Sequence, residues 1–263
     1  MGDERGYQPG TDRYFDGLAE KFAETMYGAS RGKLRLARVQ AHIQEHIPLE
    51  PGQRVLDIGG GLGQMSAWAK AQGLSPVLVE PSMDMLTFAR AALGDDIPCV
   101  QSDLQTFARS AAEPFGLVLC HAMLEWMAHP EEALPLLYSQ VKPGGWLSLM
   151  VFNLDALRFS NIVKGNTTRV VEDRNLAGKG RHKRLTPISP MTHDQVSQWI
   201  TAAGFECRAV AGIRVFHDYL RERAPDDKTL EELLELETRF GAQEPYWRFG
   251  RYLHYCLQRP EAS

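Results

Sequence analysis

Through the middle of this 263-residue chain, short β-branched and nearly all-apolar runs alternate with stretches in which apolar residues recur every three or four positions. The first pattern suits a strand buried on both faces and the second an amphipathic helix, so their alternation predicts βα units laid into a mostly parallel sheet. Strands are expected at 54–58, 76–80, 97–101, 115–121 and 146–152, with helices at 64–72, 83–93 and 130–141 between them. The last of these helices opens on Pro130 and stops before Lys142-Pro143-Gly144-Gly145. The rhythm lapses at 153–190, which is rich in Asn, Thr, Gly and basic residues and reads as an insertion rather than a buried layer. It resumes with a helix at 193–203 closed by Gly204, a strand at 206–212, an amphipathic helix at 229–240 and a last strand at 251–257. The expected fold is α/β and Rossmann-like: one domain over 1–263, a mostly parallel seven-stranded sheet with helices on both faces, a helical cap at 13–46 and a second insertion at 212–250.

Composition narrows the class only a little. A hydrophobic fraction of 44% and a charged fraction of 24% are those of a globular protein, with only the first dozen residues looking loose. No apolar run approaches a bilayer span, and MGDERGYQPG lacks the basic-then-apolar order of a signal peptide, so a cytoplasmic location is expected. Cys99, Cys120, Cys207 and Cys256 are far apart in sequence and read as buried reduced thiols, with no metal expected. The net charge of -4 argues against an evenly basic surface but not against a local patch.

The segment Val55-Leu56-Asp57-Ile58-Gly59-Gly60-Gly61-Leu62-Gly63-Gln64 carries the sharpest chemistry, because a strand runs through glycines into a helix and a ligand can lie against bare backbone. A dinucleotide fingerprint spaces its glycines G-x-G-x-x-G to seat a pyrophosphate, whereas here they fall at 59, 61 and 63 behind Asp57. An acidic neighbour suits the sulfonium and ammonium of S-adenosylmethionine and opposes a pyrophosphate. Glu80 ends the second strand, 23 positions after Asp57, where a carboxylate can accept from both ribose hydroxyls. Ser102-Asp103-Leu104 follows the third strand, placed to read an adenine edge, and His121 ends the fourth at the ligand-binding mouth of an open sheet. Each has a plainer reading: a structural glycine turn, a surface glutamate, a histidine capping a strand. No Ser-His-Asp arrangement and no GxxxxGK[ST] loop can be placed.

Longer idiosyncratic runs go further: AEKFAETMYGASRGKLR near the start, CHAMLEW after the fourth strand, NIVKGN in the insertion, and IRVFHDYLRER followed by LLELETRFGAQEPYWRFGRYLHY. In these, over nearly everything after residue 12, the chain resembles the bacterial tRNA methyltransferases that esterify 5-carboxymethoxyuridine at the wobble position. The resemblance implies a class I methyltransferase fold, S-adenosylmethionine as cofactor, and cofactor contacts at Arg35, Gly59, Gly60, Glu80, Leu104 and His121, to which the loop and strand ends themselves add Asp57, Gly61 and Asp103. Arg35 would otherwise read as a solvated charge, but a guanidinium there can grip the methionine carboxylate bidentately.

A carboxylate acceptor is already ionised at neutral pH, so the site needs no general base but does need donors that orient one oxygen. Tyr27, His121, His217 and Tyr219 are the candidates. Between Arg158 and Arg184 eight cations (Arg158, Lys164, Arg169, Arg174, Lys179, Arg181, Lys183, Arg184) face only Glu172 and Asp173, a basic island suited to anticodon-stem phosphates. Arg181, Lys183 and Arg184 lead the RNA contacts, with Arg214, Arg221 and Arg251 next. Two other readings stay open: a methyltransferase of a small carboxylic acid or quinone-like metabolite, and a noncatalytic RNA-binding protein on the same fold.

Overall fold

The structure is a computed structural model and describes residues 11–14, 30–110, 113–172, 187–220 and 226–261. Strands β1 (Arg54–Ile58), β2 (Ser75–Glu80), β3 (Cys99–Gln101), β4 (Phe115–His121), β5 (Val141–Phe152), β6 (Glu206–Ile213) and β7 (Tyr252–Gln258) form one sheet in the order β3-β2-β1-β4-β5-β7-β6. From β3 to β5 all neighbours are parallel, and β7 runs antiparallel to both β5 and β6. The mostly parallel seven-stranded sheet expected from the alternation is therefore present. Its order reverses between β1 and β4, and a crevice opens there beyond the carboxyl ends of the strands.

The described helices are α1 (Ser30–His46), α2 (Gln64–Ala71), α3 (Met83–Leu93), α4 (Leu104–Ser110), α5 (Ala133–Gln140), α6 (Leu154–Val163), α7 (Thr167–Val171), α8 (His193–Ala203) and α9 (Asp227–Phe240). Strand periodicity splits the apolar residues between two layers. Leu56, Val118 and Leu147 pack with Leu134 and Leu137 of α5 and Val196 and Ile200 of α8. Val55, Leu117 and Met150 pack on the opposite face with Val39 and Ile43 of α1 and Met65 and Ala69 of α2. Local signals set the helix ends: Ser82 caps α3, Thr192 and Gln195 form a capping box on α8, and Gly204 ends α8 in the left-handed conformation.

The structure corrects three expectations. The first half of 153–190 is not a loose insertion. Asn153 caps α6 through Asp155 N–H at 3.0 Å and ties it down by donating to the carbonyls of Arg248 and Gly250, while α6 buries Ala156, Leu157, Ser160 and Asn161. Residues 173–186, with the rest of the basic island, lie outside the described residues. Cys207 is exposed rather than buried, because the outer strand β6 leaves that residue facing solvent, and Cys99 is only partly covered. Chain ends of elements also shift: Val141 already pairs with Phe115, so the helix before it stops at Gln140. Among the described residues no helix is long and apolar enough to cross a membrane.

Candidate active site

At the crevice, β1 runs straight into the glycine turn. Gly59 and Gly60 both donate to the Val79 carbonyl of β2, at 2.8 and 3.3 Å. No side chain fits at either position. A Cβ on Gly60 would stand 2.9 Å from the Asp57 carboxyl, and one on Gly59, whose φ is 67°, would stand 2.7 Å from Met123. The Glu80 carboxylate at the end of β2 is clamped to the same turn, accepting from Gly61 N–H and Ser82 N–H at 3.0 Å each. Asp57 accepts from Ser66 Oγ at 2.7 Å, and burial, partly offset by that bond, pushes its carboxyl up to about 6.

These groups line a cleft of about 690 Å3, open solvent included, together with Arg35 of α1, Gln64, His121, Ala122 and Trp126. Ala122, just past β4, holds a positive φ of 55°, a strained conformation that turns the chain sharply at the mouth. A second cleft of about 560 Å3 shares Gly59, Glu80, Ala122 and Trp126 and continues to Ser102, Asp103 and Leu104. Asp103 caps α4 by accepting from Thr106 N–H at 2.6 Å. Asp12, Arg13 and Tyr14 cover this end: Arg13 N–H donates to the Trp126 carbonyl at 2.9 Å and its guanidinium sits 5.5 Å over the indole, while Asp12 accepts from Ala128 N–H. All the expected cofactor residues thus converge on one connected groove.

Of the expected acceptor-orienting residues that are described, His121 alone does. His121 lines the cleft, and its Nε2 meets Ser148 Oγ at 2.8 Å. Tyr219 points elsewhere: its hydroxyl donates to the Phe249 carbonyl at 3.0 Å, its ring packs on Phe159, and it serves as a tether between α6 and the segment before β7. His217 Nε2 pairs with Ser30 Oγ at 3.3 Å at the start of α1, away from the cleft walls. Tyr27 lies outside the described residues. Of the expected RNA contacts, Arg181, Lys183, Arg184 and Arg221 also lie outside them. Arg214 is a correction, being 6% exposed and ion-paired with Asp218, so its charge is spent inside the protein. Arg251 remains partly exposed, with its guanidinium 4.5 Å over Phe152.

Sequence reasoning passed over Glu125, which sits inside the CHAMLEW run yet is 1% exposed. Burial pushes its carboxyl up to about 8, against the opposing effects of its own N–H, Arg35 and the Phe152 N–H. The native state therefore keeps this proton to about pH 8, whereas an ordinary glutamate releases it near 4.5. The native state binds more protons in that window, so this contribution to stability is complete below about pH 4.5 and is lost as pH rises through 8, on the order of 5 kcal/mol in all. Glu125→Gln is expected to flatten the fall of stability between pH 5 and 8 in urea titrations. A slope equal to the parent's would mean that the native carboxyl is ionised.

The matches to known proteins agree with this geometry. Residues 29–210 match the family model described as a methyltransferase domain. The tRNA 5-carboxymethoxyuridine methyltransferase of Escherichia coli K12 is 38% identical over 96% of this chain and 98% of its own length. A ubiquinone biosynthesis O-methyltransferase of Xylella fastidiosa is 28% identical over 66% of this chain and 68% of its own. Among solved structures, an S-adenosylmethionine-dependent methyltransferase of Archaeoglobus fulgidus superposes with a TM-score of 0.55 at 18% identity, covering 91% of this chain and 98% of that one. With a methyltransferase domain over most of its length and an end-to-end match at that identity, the chain belongs to the family of tRNA 5-carboxymethoxyuridine methyltransferases.

Proposed function

We propose that the protein transfers a methyl group from S-adenosylmethionine to the carboxylate of 5-carboxymethoxyuridine at the wobble position of tRNA, forming the methyl ester. The observation that carries this reading is the extent of the likeness to the Escherichia coli enzyme. It spans 96% of the chain and so continues beyond the methyltransferase domain at 29–210, whereas the ubiquinone enzyme's likeness spans 66%. The charges of the cleft support the cofactor. Two carboxylates, Asp57 and Glu80, stand against one guanidinium, Arg35, which suits a ligand with a sulfonium, an ammonium and a carboxylate and would repel a pyrophosphate.

When bound, the cofactor supplies an electrophilic methyl on a sulfonium, released to the acceptor oxygen as the carbon–sulfur pair stays on sulfur. The remaining work belongs to the chain. Glu80 accepts from the ribose hydroxyls, the bare backbone of Gly59, Gly60 and Gly61 admits the methionine end, Arg35 holds its carboxylate, and Asp103 and Leu104 face the adenine. His121 faces the acceptor. No base is called for, because a carboxylate with a reference pKa of about 4 arrives ionised and the transfer releases no proton. Orientation in line with the leaving sulfur is the main catalytic contribution. The basic island and Arg251 hold the anticodon arm while the base enters the cleft.

The test is transfer of labelled methyl from S-adenosylmethionine to tRNA carrying 5-carboxymethoxyuridine, with nucleoside mass spectrometry of the product. The expected result is the methyl ester on that tRNA and none on tRNA lacking the carboxymethoxy group. Transfer to a small-molecule extract instead would overturn the reading.

A further inference from the structure

His121 is one end of a buried chain of polar side chains that runs from the cleft across the sheet to α1. In β5, Ser148 lies two residues before Met150, and Met150 is the register partner of both His121 in β4 and His254 in β7. The strand period of two therefore puts His121, Ser148 and His254 on one face, the face that α1 covers with His42. His121 Nε2 stands 2.8 Å from Ser148 Oγ, Ser148 Oγ 2.7 Å from His254 Nε2, and His254 Nδ1 2.7 Å from His42 Nδ1. Burial pushes His42 and His121 down to about 3 and lowers His254 as well, so at neutral pH each ring carries one N–H and one lone pair.

Ser148 Oγ bonds no described group besides these two rings, so its one proton goes to His121 or to His254 and the other ring donates to it, which leaves two arrangements, all donors pointing toward the cleft or all pointing away. The far end decides between them. His42 Nε2 is buried with no hydrogen-bond partner. In the outward arrangement it would carry an orphaned N–H, whereas in the inward one it is a bare lone pair, the smaller loss. The order then follows link by link. His42 Nδ1–H donates to His254 Nδ1, His254 Nε2–H to Ser148 Oγ, and the Ser148 hydroxyl to His121 Nε2. His121 must carry its proton on Nδ1, which bonds no described residue and is the polar atom the ring has left for the cleft it lines.

We propose that His42, His254 and Ser148 are positioning residues that hold His121 in the Nδ1–H form, so that it presents a neutral donor to the acceptor carboxylate. This rests on the carboxylate-methylation reading above. The opposite form would aim a lone pair at an anion, and an imidazolium would bind the oxygen as an ion pair and dull its attack. A neutral donor orients without quenching. Because the transfer releases no proton, the chain has nothing to conduct, and setting the direction of one N–H is the work left for it.

The same residues also bring two histidines and a cysteine together, His42, His254 and Cys256, with ligand atoms within 4.8 Å. A metal is not the better account. The 2.7 Å between nitrogens is a hydrogen-bond distance, whereas two nitrogens each about 2.0–2.1 Å from zinc in tetrahedral geometry stand well over 3 Å apart.

The test is imidazole nitrogen NMR of the full chain, labelled at histidine and saturated with S-adenosylhomocysteine. The expected spectrum shows His121 protonated at Nδ1 and bare at Nε2, and His254 protonated at Nε2. His121 protonated at Nε2, or one equivalent of zinc bound tightly and lost in His42→Ala, overturns the inference. In kinetics, Ser148→Ala should lower kcat about three- to thirtyfold, the worth of one or two hydrogen bonds, and leave cofactor affinity within about twofold. Ser148→Thr, which keeps the hydroxyl, should recover most of the loss. An unchanged kcat in Ser148→Ala, or an equal loss of cofactor affinity, also overturns it. Failure of the parent to methylate carboxymethoxyuridine tRNA would instead refute the functional reading, which the NMR result does not depend on.

Discussion

Glu80→Ala is expected to weaken S-adenosylhomocysteine binding roughly ten- to a hundredfold, the loss of a charged acceptor worth about 1.5–3 kcal/mol. Two effects add at this residue. The ribose loses its acceptor, and the glycine turn loses the carboxylate that bonds Gly61 N–H and Ser82 N–H, so the loop the cofactor lies on is less well held. Glu80→Gln should fall between parent and alanine, because its one carbonyl oxygen satisfies one of those N–H groups while its amide nitrogen faces the other. Calorimetry with S-adenosylhomocysteine checks both variants. Affinity equal to the parent's in Glu80→Ala would remove Glu80 from the cofactor site.

The second large effect is expected on RNA. Replacing Arg181, Lys183 and Arg184 together with alanine should weaken tRNA binding on the order of a hundredfold near 0.1 M salt. It should also reduce the magnitude of the slope of log K against log salt by roughly 0.7 to 0.9 per lost phosphate contact. The argument is one of charge: these cations belong to a basic island in a chain whose net charge is -4, so attraction to phosphate must be local. Cofactor affinity should not change. Binding measured by fluorescence anisotropy across a salt series distinguishes the outcomes. Parent affinity with the parent slope would move the grip to the described surface around Arg251, where Phe159 and Phe249 are 40% and 37% exposed beside α6 and offer faces on which unpaired bases stack.

Much of this protein was legible before any coordinates. The strand-and-helix alternation, the glycine turn after β1, Glu80 at the end of β2 and Asp103 after β3 are local statements. Each depends on periodicity, on a residue's tolerance of positive φ, or on a fixed count of residues along one βαβ unit. Topology then carried these strand ends to one crevice without further instruction, which is why the residues expected to hold the cofactor line one groove. The resemblance supplied Arg35, whose side chain is buried at the cleft although its position in a helical run suggests solvent.

The misses share one cause, since burial and hydrogen-bond partnership are properties of residues distant in sequence. Arg214 looks like any surface arginine until Asp218 and the segment before β7 enclose it. Tyr219 looks like a polar handle at a mouth until the Phe249 carbonyl takes its hydrogen. Glu125 becomes a protonated acid only because β5, α1 and its own turn exclude water from it. His42 and His254, 212 residues apart, are unremarkable in a linear reading, and their 2.7 Å contact exists only once α1 lies across β7. The order of elements, the glycine loop and the acids at the strand ends are readable from the linear chain, because they follow from steric and periodic rules acting within about one βαβ unit. Which charges are enclosed and which polar groups meet across the sheet depends on the folded chain, because desolvation and hydrogen-bond partners are set by neighbours that the chain brings together from its two ends.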